Sequence, residues 1–523
     1  MGYDTETNYD FGYFSFLNLY LTRFRFISKG VAFPEIGPDF NACELGFGNG
    51  VSIVMHAVNS PAQWYGNDFN PSQVGFAQMM ANTAQTKVHL TDDAFDQYLE
   101  REDLPMFDFI CLHGIFSWIS EENQNIIVEF IKRHLKIGGV LYISYNIGAG
   151  FGPLEPFRYL MYTYSNTMSD PALNHVKNLP NILEFIDNLL ELNPRYTAHA
   201  PWLKGLYEDR IKKNEYNYVS HEYLNGNWFL FNFNDVAQKL EPAKLNFVCQ
   251  ARMVDDMDEF FLKEGEAEFL EPFKGTALYQ PIRDYISCQT FRSDLYVKGV
   301  RTLNEHELIQ EMDKTYFVLA QDPNAKELVI NTRKGNNNVD IKRLQGLFKL
   351  MDDFEVHSFK ELRQALCKEY AAKPLKGIKL ISVDELLDII NYAVACSIVL
   401  VAVPPHEITQ EIIDNSSKLN DAILHAHLPA NILALSSPVL GGGFVIDNIH
   451  KLLLNVIESR PDLTEAQMVE VLLELNKSGN NMVLVKRKDT EVNSLKQQKE
   501  IIKSFVHDFM TVRLPLMRKL CYI

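Results

Sequence analysis

Residues 44–50 read Glu-Leu-Gly-Phe-Gly-Asn-Gly, an acid followed by glycines at Gly46, Gly48 and Gly50. Glycines so spaced suit a loop that leaves a strand, turns sharply and lets a ligand approach its backbone without side-chain obstruction. S-adenosylmethionine (SAM) is the ligand this spacing favours. A dinucleotide loop, G-x-G-x-x-G, needs its third glycine one place later, where the backbone meets a pyrophosphate at a helix N-terminus. Val51 occupies that place. SAM carries no phosphate and asks for close backbone approach to an amino acid and a nucleoside. A ligand-free strand-to-helix turn has the same local signature, so the loop alone leaves both readings open.

The elements that would position such a site follow in order. Residues 63–67 read as a second strand ending at Asp68 and Phe69, with the acid about twenty residues past the glycines, where an open α/β sheet aims a carboxylate at ribose hydroxyls. Residues 87–91 read as a third strand closed by Asp93 and Ala94, an acid and a small residue suited to an adenine edge. Residues 107–112 are almost wholly apolar, as a strand covered on both faces must be, and end in His113 and Gly114. After a helical stretch, the breaker Gly138-Gly139 precedes a fifth strand at residues 140–146. Ligands in such sheets sit beyond the carboxyl ends of the strands. The predicted cofactor residues are therefore Glu44, Gly46, Gly48, Gly50, Asp68, Phe69, Asp93, Ala94, His113 and Gly114. Trp118, Tyr145 and Asn146, beyond the fourth and fifth strands, are the candidates for aligning an acceptor. Trp118 as core and His113 as a backbone contact are the plain structural alternatives. His221-Glu222 is not H-E-x-x-H, and no metal is expected.

The succession ELGFGNG, GNDFNP, HGIFSWI and GGVLYISYN, continued by residues 219–225, 231–237 and 292–299, resembles the bacterial class I SAM-dependent methyltransferases that carry a methyltransferase regulatory region. That group includes the rickettsial outer-membrane-protein lysine methyltransferases. The resemblance covers about the first 300 residues and implies an α/β fold, a Rossmann-like seven-stranded class I methyltransferase sheet, with SAM as cofactor. It also implies protein lysine as acceptor and a homodimeric habit. Phe47 stands where the family usually has cysteine, and the N-terminal segment is short and aromatic-rich.

The chain of 523 residues, 46% hydrophobic, has material for two to four domains. Residues 1–303 read as the methyltransferase domain, interrupted by a helical insertion at 151–225, a cap or dimer contact, and a second at 254–289. The second is rich in acids (Asp255, Asp256, Asp258, Glu259, Glu264, Glu266, Glu268, Glu271) that would either attract a lysine-rich protein or form a solvated face. Residues 304–404 read as a winged-helix-like α+β module, with a hairpin whose turn lies at residues 335–338. Residues 405–523 read as mainly helical, interrupted by Gly441-Gly442-Gly443, with ten Lys/Arg against four Asp/Glu from Lys477 onward.

A net charge of −17 opposes nucleic-acid binding, which draws its affinity from cations neutralising phosphates. Seven scattered cysteines without a C-x-x-C pair fit a reducing cytoplasm, and no stretch is long and apolar enough for stable membrane insertion. A protein substrate and a second copy of the chain are the expected partners. If the acceptor is lysine, with a reference pKa of about 10.4, neutralising it near pH 7.4 costs roughly 4 kcal/mol unless the site lowers that value by desolvation. Asn146 would then accept from the amine, and Trp118 and Tyr145 would wall its channel. The N-terminal aromatics Tyr3, Tyr9, Phe11, Tyr13, Phe14 and Phe16 suit a helical lid or a packed core. Two other classes stay open: a small-molecule or glycan methyltransferase, and a SAM-binding regulatory or scaffold protein.

Overall fold

A computed structural model of the protein describes residues 11–170, 173–372, 382–425, 427–477 and 495–523. Seven strands, β1 (Asn41–Leu45), β2 (Gln63–Asn67), β3 (His89–Thr91), β4 (Phe107–Leu112), β5 (Leu135–Asn146), β6 (Leu245–Gln250) and β7 (Phe291–Lys298), form one sheet in the order β3-β2-β1-β4-β5-β7-β6. β1 to β5 are mutually parallel, and β7 runs antiparallel to both β5 and β6. The continuous apolar runs serve two cores at once, because successive side chains point to opposite faces. Phe109 and Cys111 join one cluster, while Ile110 and Leu112 join the other. β5 starts before the predicted breaker: Phe107 pairs with Leu135 and Phe109 with Val140, so Gly138-Gly139 lies in an irregularity within the strand.

Helices α1 (Leu19–Ser28), α2 (Val51–Val58), α3 (Pro71–Thr83), α4 (Phe95–Leu99) and α5 (Glu121–His134) accompany the first strands. The insertion after β5 is helical and builds its own core around Leu154, Phe157, Ile182, Tyr207 and Tyr223. The second insertion is four short helices. Five of the eight acids singled out there are ion-pair partners: Asp255 and Asp256 are largely enclosed, whereas Asp258, Glu259 and Glu271 keep side-chain exposures of 39%, 41% and 66% on a solvated face. Asp256 meets Arg25 at 2.9 Å and Lys29 at 2.6 Å, Asp258 meets Arg283, Asp255 meets Arg333, and Glu259 meets Arg343. Arg333 and Arg343 belong to the following module, so these pairs seat it against the catalytic unit.

That module contains a three-stranded antiparallel sheet in the order β11-β8-β12, from β8 (Tyr316–Leu319), β11 (His357–Ser358) and β12 (Val399–Ala402), and a separate ribbon of β9 (Val329–Thr332) and β10 (Gly335–Asn338). The expected turn at 335–338 is instead the second strand of the ribbon, with Gly335 opposite Thr332. The chain reverses at Arg333-Lys334, and Asp340 caps the helix Ile341–Leu350 through Arg343 N. The described residues of the last part are mainly helical, with a hairpin of β13 (Ala434–Ser437) and β14 (Gly442–Val445). Its Leu435 and Leu440 share one hydrophobic cluster with Val54 and Met55 of α2. Of the ten Lys/Arg from Lys477 onward, Lys486, Arg487 and Lys488 lie outside the described residues. Among the described residues no helix is long and apolar enough to cross a membrane.

Candidate active site

The glycine loop sits at the carboxyl end of β1 as the spacing predicts. Gly46, Gly48 and Gly50 have φ of 67°, 59° and 72°, in the region L-residues avoid. A Cβ at Gly46 would stand 2.5 Å from Ile115 Cδ1, and one at Gly50 would collide with Ala77. The loop is tied to β2: Gly46 N donates to Asn67 O at 2.8 Å, and Gly48 N donates to Asp68 Oδ2 at 2.9 Å. Asp68 Oδ1 accepts from Asn70 N at 3.0 Å and, in the orientation its neighbours dictate, from the Gln73 amide at 2.9 Å.

A cavity of about 440 Å³ opens over this loop. Glu44, Gly46, Gly48, Gly50, Asp68, Phe69, Ala94, His113 and Trp118 line it, as do Phe14, Phe95, Glu122, Asn123 and Asn227. Its charged lining residues are all acidic: Glu44, Asp68 and Glu122. Burial, then the neighbouring Asp68, pushes Glu44 up to about 8, and Glu44 Oε2 is buried with no hydrogen-bond partner. Burial raises Asp68 to about 6 against the pull of the Asn70 and Gly48 amides. His113, its Nδ1 2.8 Å from the Tyr142 hydroxyl, is lowered to about 3 by burial and stays neutral.

Four predicted residues lie outside the lining. The Asp93 carboxylate turns to Thr91 Oγ1 (2.5 Å) and Arg101 (3.0 Å), leaving Ala94 and Phe95 at the cavity. Gly114 donates its amide to Ser144 Oγ at 2.9 Å. Tyr145 is fully buried and donates its hydroxyl to Asp294 at 2.5 Å, because its place on β5 sends it into the core below the site. Asn146 is 1% exposed and donates to Glu222 Oε1 at 3.1 Å. Neither lines the cavity. Glu222 is pushed up to about 8 by burial, opposed by its bonds from Asn146 and Trp228.

Other lining residues escaped sequence reasoning. Glu122 and Asn123 open α5, whose cap is Ser120 accepting from Asn123 N, a pattern visible in the sequence. Asn227 had no local signal: long-range bonds deliver it, from Phe229 N to Ser117 O, Phe231 N to Asn146 O and Asn225 Nδ2 to Trp118 O. Of the described N-terminal aromatics Phe14 lines the cavity, while Phe11, Tyr13 and Phe16 pack against the core. Residues 11–14 are non-helical and a short 3-10 turn follows at Ser15–Leu17, with the Phe14 ring 4.2 Å from that of His113. Tyr3 and Tyr9 lie outside the described residues.

Comparison with known proteins agrees with this geometry. Residues 43–143 match a family model described as a methyltransferase domain, and residues 215–298 one described as a predicted methyltransferase regulatory domain. The uncharacterized protein sll1526 of Synechocystis is 32% identical, over 99% of this chain and 98% of its own. The uncharacterized protein RP789 of Rickettsia prowazekii is 23% identical over 59% of this chain and 55% of its own. In fold, the chain is similar to PKMT2 from Rickettsia typhi in complex with AdoHcy, with a TM-score of 0.62 and 17% identity over 97% of this chain and 98% of that one. With the strand order, the glycine loop and these matches together, the chain belongs to the class I SAM-dependent methyltransferases that carry a methyltransferase regulatory region, and SAM is its cofactor.

Proposed function

We propose that the protein transfers methyl groups from SAM to lysine side chains of a protein substrate. The observation that carries this is the cavity's lining: every charged side chain in it is acidic, its one histidine is neutral, and aromatic rings from Phe14, Phe69, Phe95 and Trp118 surround it. Such walls favour a cationic cofactor and tolerate an approaching amine, while desolvation lowers the cost of releasing that amine's proton. The sequence resemblance to the rickettsial lysine methyltransferases supports the same acceptor.

The residues present fit SAM. Gly46 and Gly50 leave no room for a Cβ, the unpartnered Glu44 oxygen stands ready for the amino group, and Asp68 keeps capacity for ribose hydroxyls. When bound, SAM supplies a methyl already activated by a sulfonium. The chain's share is alignment and exclusion of water. Trp118, Asn123 and Asn227 border the cavity where α5 meets the 225–231 loop, and we assign them to the acceptor. Incubation with methyl-labelled SAM and a lysine-rich protein tests the reading. Label on lysine, stable to mild base and located by mass spectrometry, is the expected result; label confined to a small molecule or to base-labile carboxyl groups overturns it.

A further inference from the structure

The hairpin formed by β13 and β14 lies about 380 residues after the glycine loop in sequence, yet it presses on the helix that the loop begins. It is anchored within its own region: Asn420 accepts from Ser436 N at 2.6 Å and donates to Ser436 O at 2.9 Å. Towards the catalytic unit, Asn59 Nδ2 donates to Ser436 Oγ at 2.7 Å and to Gly442 O at 2.8 Å. Asn18 Nδ2 donates to Leu440 O and Gly441 O at 2.7 and 2.9 Å.

Tyr13 is caught in this joint. Its ring stands 5.4 Å from that of His56 on α2, and burial between α2 and the hairpin pushes its hydroxyl well above the usual phenol range. The hairpin comes so near that a Cβ at Gly442 would lie 2.5 Å from the Tyr13 hydroxyl and 2.8 Å from His56 Nδ1. At Gly443 a Cβ would lie 2.8 Å from Met55 Sδ and 3.0 Å from the Tyr13 ring. The residues on either side of Tyr13 form part of the cavity wall: Gly12 and Phe14 line it, and Phe14 N donates to Ser52 Oγ, itself a lining residue, at 2.9 Å.

We propose that Tyr13 is a positioning residue for the cofactor, clamped between α2 and the C-terminal hairpin so that the 12–14 segment stays closed over bound SAM. The C-terminal region thereby becomes part of the cofactor site, although the hairpin does not line the cavity. The proposal rests on that cavity being the SAM site, and not on the identity of the acceptor.

The full-length protein tests it through SAM dissociation rate and affinity, read by calorimetry and displacement of labelled SAM. Tyr13→Ala is expected to speed dissociation and weaken affinity tenfold or more, raising KM for SAM while kcat at saturating SAM and KM for the acceptor stay within twofold. Tyr13→Phe, which keeps the wedge, should restore most of the affinity. Gly442→Ala, if it folds, should behave as Tyr13→Ala does; if it does not, the tyrosine variants decide alone. Asp68→Ala serves as the reference for the cavity. Wild-type SAM binding by folded Tyr13→Ala, with Asp68→Ala weakened, overturns the clamp and leaves the cavity reading intact. Wild-type binding by both overturns the cavity reading and the clamp together.

Discussion

Asp68 holds the glycine loop to β2 through Gly48 N and, on the present reading, also faces the ribose, so Asp68→Ala removes a loop tether and a ligand contact together. A charge-assisted hydrogen bond contributes about 1.5–3 kcal/mol, and calorimetry should show SAM affinity falling roughly ten- to a hundredfold. The same carboxyl sets a pH dependence. Its apo value of about 6 is lowered when ligand hydroxyls bond its ionised form, so its own contribution to affinity is full above that value and declines as pH falls through it, by up to about tenfold per unit, on top of the decline that Glu44 adds below about 8. Binding that is flat from pH 7.5 to 5 would exclude Asp68 from the contact. Glu222 acts in the opposite sense on stability. Its folded value of about 8 lies above that of an unfolded glutamate, so the native state holds the extra proton, and this contribution is present at low pH and lost as pH rises towards 8. Each unit of pH across that window costs up to about 1.4 kcal/mol, and Glu222→Gln should flatten the decline in Tm of the apo protein between pH 6 and 8. The glycines and Asp68 were legible because local spacing and backbone geometry fix them. Asp93 was not: its carboxylate is claimed by Arg101, eight residues on, a competition that strand-end reasoning does not see.

Elements were readable where one physical demand ruled them. β4 had to be apolar apart from Asp108 because both of its faces are covered, and α5 was read as a helical stretch from the apolar spacing of Ile127, Val128, Phe130 and Ile131. The first hairpin was foreseen with its turn placed too late and the second was read only as an interruption of helix, because glycine and asparagine mark breaks in the abstract, whereas Gly335–Asn338 and Gly442–Val445 are strands whose placement depends on partners elsewhere. In the C-terminal case those partners are Tyr13, His56 and Met55, invisible to any local window. The acceptor side shows the same split: Trp118 was foreseen from its distance past β4, while Asn227 arrives on a loop held by Ser117 O and Asn146 O. If these residues align the acceptor, Trp118→Ala and Asn227→Ala should lower kcat by about ten- to a hundredfold with SAM affinity changed less than threefold, the pattern of an interaction made chiefly in the transition state. A matched loss of SAM affinity would return Trp118 to the cofactor wall or the core.

For the whole molecule, the insertion between β5 and the regulatory segment presents an unusual surface. It has a buried core of its own, yet it exposes Tyr159 (58%), Met168 (70%), Leu192 (77%) and Trp202 (58%), with Tyr196 and Tyr216 also exposed. Large apolar side chains gathered on one excursion from a sheet are the composition of a contact surface, and a second copy of the chain is the partner that can cover such a surface on both molecules at once, through a two-fold interface. The insertion is also joined to the site: Arg158 stacks over Tyr162 and Trp228 and donates to Asn225 O, whose own side chain bonds Trp118 O. A dimer formed here would brace the 225–231 loop and with it the acceptor side of the cavity. Light scattering at micromolar concentration should report about twice the 60.1 kDa chain mass. The double substitution Leu192→Glu with Trp202→Glu, placing like charges face to face across the interface, should shift the protein to monomer and lower turnover while SAM still binds. A wild-type monomer at that concentration removes the insertion as a dimer contact. A dimer that survives the charged variant moves the interface elsewhere on the molecule.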